Sequence, residues 1–121
     1  MSNITTLEQA KRLKKLGFRE KVRAYYADVS LDYNNPINWN TDDDDYYSAP
    51  TIPEALDWIR ERKRIICAVD VDYFDGWYYT GKYLDKSKID FQYTNSFDDH
   101  FNAESALLDA VLTYLENKGG E

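Results

Sequence analysis

The chain has 121 residues, 43% of them hydrophobic and 16% aromatic, with 22 Asp and Glu against 15 Lys and Arg. That length bounds a single core-bearing domain over residues 1–121, and the apolar content excludes a disordered chain. The net charge of −7 argues against direct binding to nucleic acid or to an anionic membrane, whose phosphates would repel most of the surface.

The charge is uneven. Residues 1–23 hold seven Lys and Arg against Glu8 and Glu20, a net of +5, and the remainder carries −12. A basic first helix is explained by a solvated face whose cations complement the negative C-terminal end of the helix dipole. No run approaches the roughly 20 apolar residues that span a bilayer, and residues 1–23 lack the apolar core of a secretory leader. The expected compartment is therefore the cytoplasm. Cys67 is the only cysteine and His100 the only histidine, so neither an intramolecular disulfide nor a structural zinc site is expected, and no cofactor is implied. Cys67 lies in the apolar run Ile65-Ile66-Cys67-Ala68-Val69, where it reads as a small core residue.

In chain order, Thr5-Thr6-Leu7-Glu8 reads as a capping box, and Leu7, Ala10, Leu13 and Leu16 then recur at helical spacing. Gly17 and Phe18 supply the left-handed stop and its apolar contact, giving a helix over residues 6–16. Val22 to Val29 alternates with period two and reads as a strand, with a weaker partner around Leu31 to Tyr33. Residues 34–50 read as a long acidic and aromatic loop, with Asp42 to Asp45 in its middle. Trp39, Tyr46 and Tyr47 flank the acid run and are expected to pin the loop to the body.

A second capping box, Thr51-Ile52-Pro53-Glu54, opens a helix whose buried stripe is Ile52, Ala55, Leu56 and Ile59. Ile65 to Tyr73 alternates as the strongest strand. Asp75-Gly76 supplies a turn, and Trp77 to Leu84 and the segment from Ile89 onward complete a three-stranded meander. The last helix reads from Asn102 to about Asn117, with Phe101 as a staple and Leu107, Leu108, Val111, Leu112 and Leu115 on its apolar face. The expected fold is α+β in two layers: an antiparallel sheet of about four to five strands with three helices, in the order α-β-β-α-β-β-β-α.

Four patches of the chain, Thr6 to Phe18, Ser48 to Trp58, Gly76 to Tyr78 and Glu104 to Leu107, follow a shared pattern. They read T-x-x-x-A-K-x-L-K-x-x-G-F, S-A-P-T-x-x-E-A-L-x-W, G-W-Y and E-x-A-L. In these patches and their order the chain resembles a group of small proteins encoded by bacteriophages and prophage-like elements of gut anaerobic bacteria. The resemblance implies a phage or prophage setting, and so a bacterial or phage-infected host cell, and no particular activity. The run of four aspartates is longer than that pattern.

Several clusters were candidates for chemistry. Asp70, Asp72 and Asp75 resemble a hard-cation site, but the spacing departs from an EF-hand loop and Gly81 stands where its last glutamate belongs. Asp98-Asp99-His100 resembles an acid–base cluster, yet acids before a helix start are expected from the dipole alone. No catalytic residue and no metal ligand is therefore assigned. Asp42, Asp43, Asp44 and Asp45 beside Tyr46 and Tyr47 could imitate a phosphate backbone, which would make the chain an acidic inhibitor of a host nucleic-acid-binding protein. Eleven tyrosines and three tryptophans exceed what a small core needs. Trp77, Tyr78 and Tyr79 lie on a hairpin whose alternate side chains face opposite ways, and Tyr and Trp dominate binding hot spots. The expected function is a non-catalytic module that binds a protein partner or itself through an aromatic-rich sheet face, Trp77, Tyr78 and Tyr79 being the contact residues.

Overall fold

The computed structural model describes residues 3–40, 46–63, 65–72, 76–83, 89–97 and 100–119; within the second sheet only Ile65, Cys67 and Val69 are described beyond the backbone. The chain divides into two compact units, Met1–Ala55 and Leu56–Glu121, the division falling inside the second helix.

The first unit opens with α1 (Leu7–Lys15), followed by β1 (Val22–Ala27), β2 (Ser30–Ile37) and β3 (Tyr46–Ser48), then enters α2 (Ile52–Lys63). The capping box of α1 sits one residue later than the sequence pattern suggests. Thr6 is the N-cap: its Oγ1 accepts from Gln9 N–H at 3.2 Å, while Gln9 Oε1 accepts from Thr6 N–H at 2.9 Å. Thr5 is drawn off by a different partner, because its N–H and its Oγ1 both donate to the Pro50 carbonyl at 2.9 Å. The helix ends as read, with Gly17 at φ 96°, Phe18 N–H donating to the Leu13 carbonyl and Gly17 N–H to the Lys14 carbonyl, each at 3.1 Å.

β1 is the centre of a three-stranded antiparallel sheet in the order β2-β1-β3. A two-residue turn, Asp28-Val29, joins Ala27 to its partner Ser30, and Asp28 adopts φ 59°, the positive value that hairpins with matched twist require. Beyond Tyr33 the register slips: β2 advances four residues to Ile37 while β1 retreats two, from Ala24 to Val22. Pro36 lies in that slipped stretch, where a missing backbone donor is tolerated. β3 pairs with the other edge of β1, Tyr25 opposite Ser48 and Ala27 opposite Tyr46. The strand content therefore exceeds the sequence reading, since β2 continues to Ile37 and β3 lies within 34–50. α1 packs on β3, and Ala10, Leu13, Phe18, Val22, Ala24, Ala49 and Ile52 are buried. Burying a side chain the size of Leu13 or Phe18 contributes roughly 1.5–3 kcal/mol.

The second unit holds most of α2, a second three-stranded antiparallel sheet of β4 (Ile65–Asp72), β5 (Gly76–Tyr83) and β6 (Ile89–Phe97) in that spatial order, and α3 (His100–Gly119). α3 packs on this sheet, with Ala103, Leu107, Leu108, Val111 and Leu112 wholly buried. It begins two residues earlier than the sequence suggests, so Phe101 lies in its first turn and does not precede it. α2 starts with the capping box as read, Thr51 Oγ1 accepting from Glu54 N–H at 3.2 Å and Glu54 Oε1 from Thr51 N–H at 2.8 Å. Its stripe of Ile52, Ala55, Leu56 and Ile59 is buried.

The fold is α+β with three helices, and its strands are antiparallel. In place of one sheet of four to five strands there are two sheets of three, in the order α-β-β-β-α-β-β-β-α. Period-two alternation marks a strand but not its partner, so the split into two sheets was not legible in the pattern. Among the described residues, no helix is long and apolar enough to cross a membrane.

Candidate functional site

Aromatic, amide and cationic side chains converge around β3. Trp39, two residues past the end of β2, stacks on Tyr25 of β1 with ring centroids 3.9 Å apart and planes 18° apart. Two hydrogen bonds fix it: its N–H donates to Ser48 Oγ and its Nε1–H to the Val22 carbonyl, each at 2.9 Å. Tyr46 meets the edge of Tyr25 at 5.8 Å and lies 6.1 Å from Trp39. Trp39 and Tyr46 thus anchor both ends of the acidic segment on β1, as their positions beside it suggested.

Asn40 completes this anchorage. It is wholly buried; its Nδ2 donates to the Phe18 carbonyl at 2.9 Å and its Oδ1 accepts from Ser48 N–H at 2.8 Å. One side chain thereby ties the end of the α1 stop to β3. Nothing in the pattern of the sequence marked Asn40, because an asparagine in a polar stretch reads as a loop residue.

Tyr47 pairs with Tyr26 across the sheet and lies beneath α1. Lys14 Nζ is 4.8 Å and Lys11 Nζ 5.8 Å from its ring centroid, and Lys14 also donates to the Tyr46 carbonyl at 3.0 Å. The spacing of three residues on α1 puts both ammonium groups on one face, a cation–π arrangement. Beside it opens a cleft of about 470 Å³ lined by Leu7 and Lys11 of α1, Ala27, Asp28 and Val29 of the β1–β2 connection, and Tyr46 and Tyr47 of β3. A second groove of about 320 Å³ has Ile4, Val22, Ala24 and Ala49 among its lining residues, with Tyr33 beside them.

The candidate binding residues are distributed as follows. Tyr46 and Tyr47 belong to the first unit and join the aromatic and cationic cluster. Trp77, Tyr78 and Tyr79 lie on β5, the central strand of the second sheet, opposite Val71, Asp70 and Val69 of β4. Trp77 and Tyr79 also pair with Phe97 and Tyr93 of β6. Their side chains lie outside the described residues, as do Asp42 to Asp45, Asp75, Asp98 and Asp99.

His100 has Glu104 one helical turn away on α3, Nδ1 to Oε1 3.5 Å, the imidazole exposed and the carboxylate half-buried. Cys67 is buried; burial pushes its thiol up and the neighbouring Arg60 pulls in the opposite direction. A thiol raised in this way is the wrong form for nucleophilic attack at neutral pH. Arg60 itself is committed, its Nε donating to the Cys67 carbonyl at 2.9 Å and its Nη1 to Asp57 at 2.8 Å. Among the described residues, no group of three or more His, Cys, Asp or Glu could hold a metal ion.

Comparison of the chain with protein-family models, with curated proteins and with solved structures gave no match.

Proposed function

We propose that the chain is a non-catalytic protein-interaction module that uses apolar and aromatic sheet faces to bind a protein partner or a second copy of itself. The observation that supports this reading most directly is the uneven covering of the first sheet. Val22 and Ala24 on β1 are 5% and 3% exposed, while their cross-strand partners on β2, Ile37 and Tyr33, are 44% and 60% exposed. Directly opposed residues share a face, so the apolar face of β1 continues outward over β2 uncovered. Leu31, opposite Tyr26, extends the same stripe. Large exposed apolar side chains in a contiguous row are the usual mark of a contact surface.

Trp77, Tyr78 and Tyr79 are the second contact surface in this reading, on the strength of the tyrosine and tryptophan excess and their place on a central strand. The phage or prophage setting, and with it the cytoplasm of a bacterial or infected cell, rests on the four sequence patches.

Affinity capture and sedimentation of the wild type, of Tyr33→Ser with Ile37→Ser, and of Trp77→Ala with Tyr79→Ala test the proposal. A stoichiometric partner or dimer lost in either double variant, with the circular dichroism spectrum kept, is the expected result. A monomer that captures nothing in every case refutes it.

A further inference from the structure

We infer that the 470 Å³ cleft between α1, the β1–β2 turn and β3 is a binding site for a small zwitterion of the amino-acid or dipeptide class carrying an apolar side chain. This goes beyond the interaction-module reading and does not rest on it.

Three observations support it. The first is the pairing of charges. Lys11 on α1 and Asp28 on the turn contribute one cation and one anion from different elements, and among the described residues neither has an ion-pair partner. Asp28 is exposed and Lys11 half-buried, and a zwitterion matches both at once, its carboxylate at Lys11 and its ammonium at Asp28. The second is the surface that accompanies the two charges: Leu7, Ala27, Val29 and the rings of Tyr46 and Tyr47. These share the walls with a comparable polar surface, a mixed lining that suits a ligand with both charged and apolar parts, and the volume falls in the usual range of small-molecule sites, roughly 300–1,000 Å³. The third is the backbone. Asp28 occupies the first central position of a hairpin turn at φ 59°, where glycine carries no strain. Lys14, bound to the Tyr46 carbonyl, and Lys11 lie over the same Tyr47 ring, which fixes one wall of the cleft.

The assignment gives each group a task. Lys11 Nζ donates to the ligand carboxylate, the Asp28 carboxylate accepts from the ligand ammonium, and the side chain lies against Val29 and the tyrosine rings. Both charged residues can be neutralised with little change in size, and asparagine tolerates positive φ as aspartate does.

The test is a titration of the full chain, followed by amide NMR shifts, with L-phenylalanine, L-alanyl-L-phenylalanine, N-acetyl-L-phenylalanine and L-phenylalaninamide. The expected result is saturable binding of one or both zwitterions with shifts at Lys11, Asp28, Val29, Tyr46 and Tyr47. Masking the amine or the carboxylate should weaken binding about tenfold. Asp28→Asn should erase the discrimination against the acetylated compound alone, and Lys11→Gln that against the amide alone. The free amino acid or the dipeptide is identified by whichever binds tighter. No saturable shift with either zwitterion up to roughly ten millimolar, equal binding of masked and unmasked compounds by the wild type, or shifts confined to other residues would each overturn the assignment.

Discussion

Asn40→Ala removes both hydrogen bonds that hold the end of the α1 stop to β3. The side chain is wholly buried, so the substitution strands the Ser48 amide, which loses its partner at 2.8 Å, and takes the shorter of its bonds from the Phe18 carbonyl, leaving that oxygen the longer one from Arg19 Nη1 at 3.4 Å. A buried group left without its partner costs about 1–3 kcal/mol, so the stranded Ser48 amide together with the weakened bonding of the Phe18 carbonyl gives a loss of about 2–3 kcal/mol. Asn40→Asp makes a sharper comparison. The carboxylate can still accept from Ser48 N–H, but it offers no donor of its own to the Phe18 carbonyl and places a negative charge beside that oxygen, so its destabilisation should ease as the pH falls and the carboxyl takes up a proton. Urea denaturation followed by tryptophan fluorescence checks both, because Trp39 reports on the first unit through its stack with Tyr25. Hydrogen exchange at the Ser48 amide gives the local reading, with protection falling by two or more orders of magnitude if a loss of about 3 kcal/mol is expressed there. A loss below about 1 kcal/mol in Asn40→Ala, with Ser48 still protected, would refute the reasoning, since it would mean that a neighbouring group satisfies the Ser48 amide without Asn40.

Three further outcomes follow from the geometry. Thr6→Ala should cost about 1 kcal/mol and Glu8→Ala almost nothing, measured by thermal denaturation, because the capping box is Thr6 with Gln9; the reverse ranking would restore the Thr5–Glu8 register. Gly17→Ala should destabilise by about 1–2 kcal/mol through its φ of 96° alone, as a Cβ there meets nothing within 4 Å, and Gly17→Asn should recover part of the loss. Cys67 should resist alkylation in the folded protein and react on denaturation. Its raised pKa means the unfolded thiol ionises first, so its contribution to stability is intact below the ordinary value of 9.0 and is lost as pH rises above it. Faster alkylation of the native than of the denatured chain would contradict this.

The sequence carried the helices well because each announces itself locally. Ile52, Ala55, Leu56 and Ile59 recur at helical spacing behind a Thr-x-x-Glu box, and Gly17 with Phe18 writes the stop of α1 in two residues. The capping register of α1 was ambiguous for a physical reason: Thr5 and Thr6 are adjacent, Glu8 and Gln9 are adjacent, and only the demand of the distant Pro50 carbonyl decides which threonine is free to cap. β3 has three residues, too few for any alternation to register, and β2 carries an Asn-Asn-Pro stretch that reads as a turn although the slipped pairing accommodates it. Tyr46 and Tyr47 were legible as anchors from their place beside the acidic run. Asn40, Asp28 and the two lysines over Tyr47 were not, because their significance depends on contacts between positions 8 to 36 residues apart.

Asn3, Ile4 and Thr5 fasten to residues 50–52: Thr5 donates twice to Pro50, Ile52 N–H donates to the Asn3 carbonyl, and Ile4 bridges Thr51, with Tyr26 OH donating to the Thr5 carbonyl at 2.8 Å. The stretch between them is in effect a ring closed by a clasp, and a clasp has an order of assembly. On a ribosome adding roughly 5–20 residues per second, Asn3 to Thr5 emerge several seconds before their counterparts exist. During that interval α1 and the β1–β2 hairpin can form from neighbours alone, while the clasp must wait. The same dependence predicts that a nascent chain stalled before Pro50 clears the tunnel holds Asn3 to Thr5 open to protease, and that they close once Ile52 has cleared it.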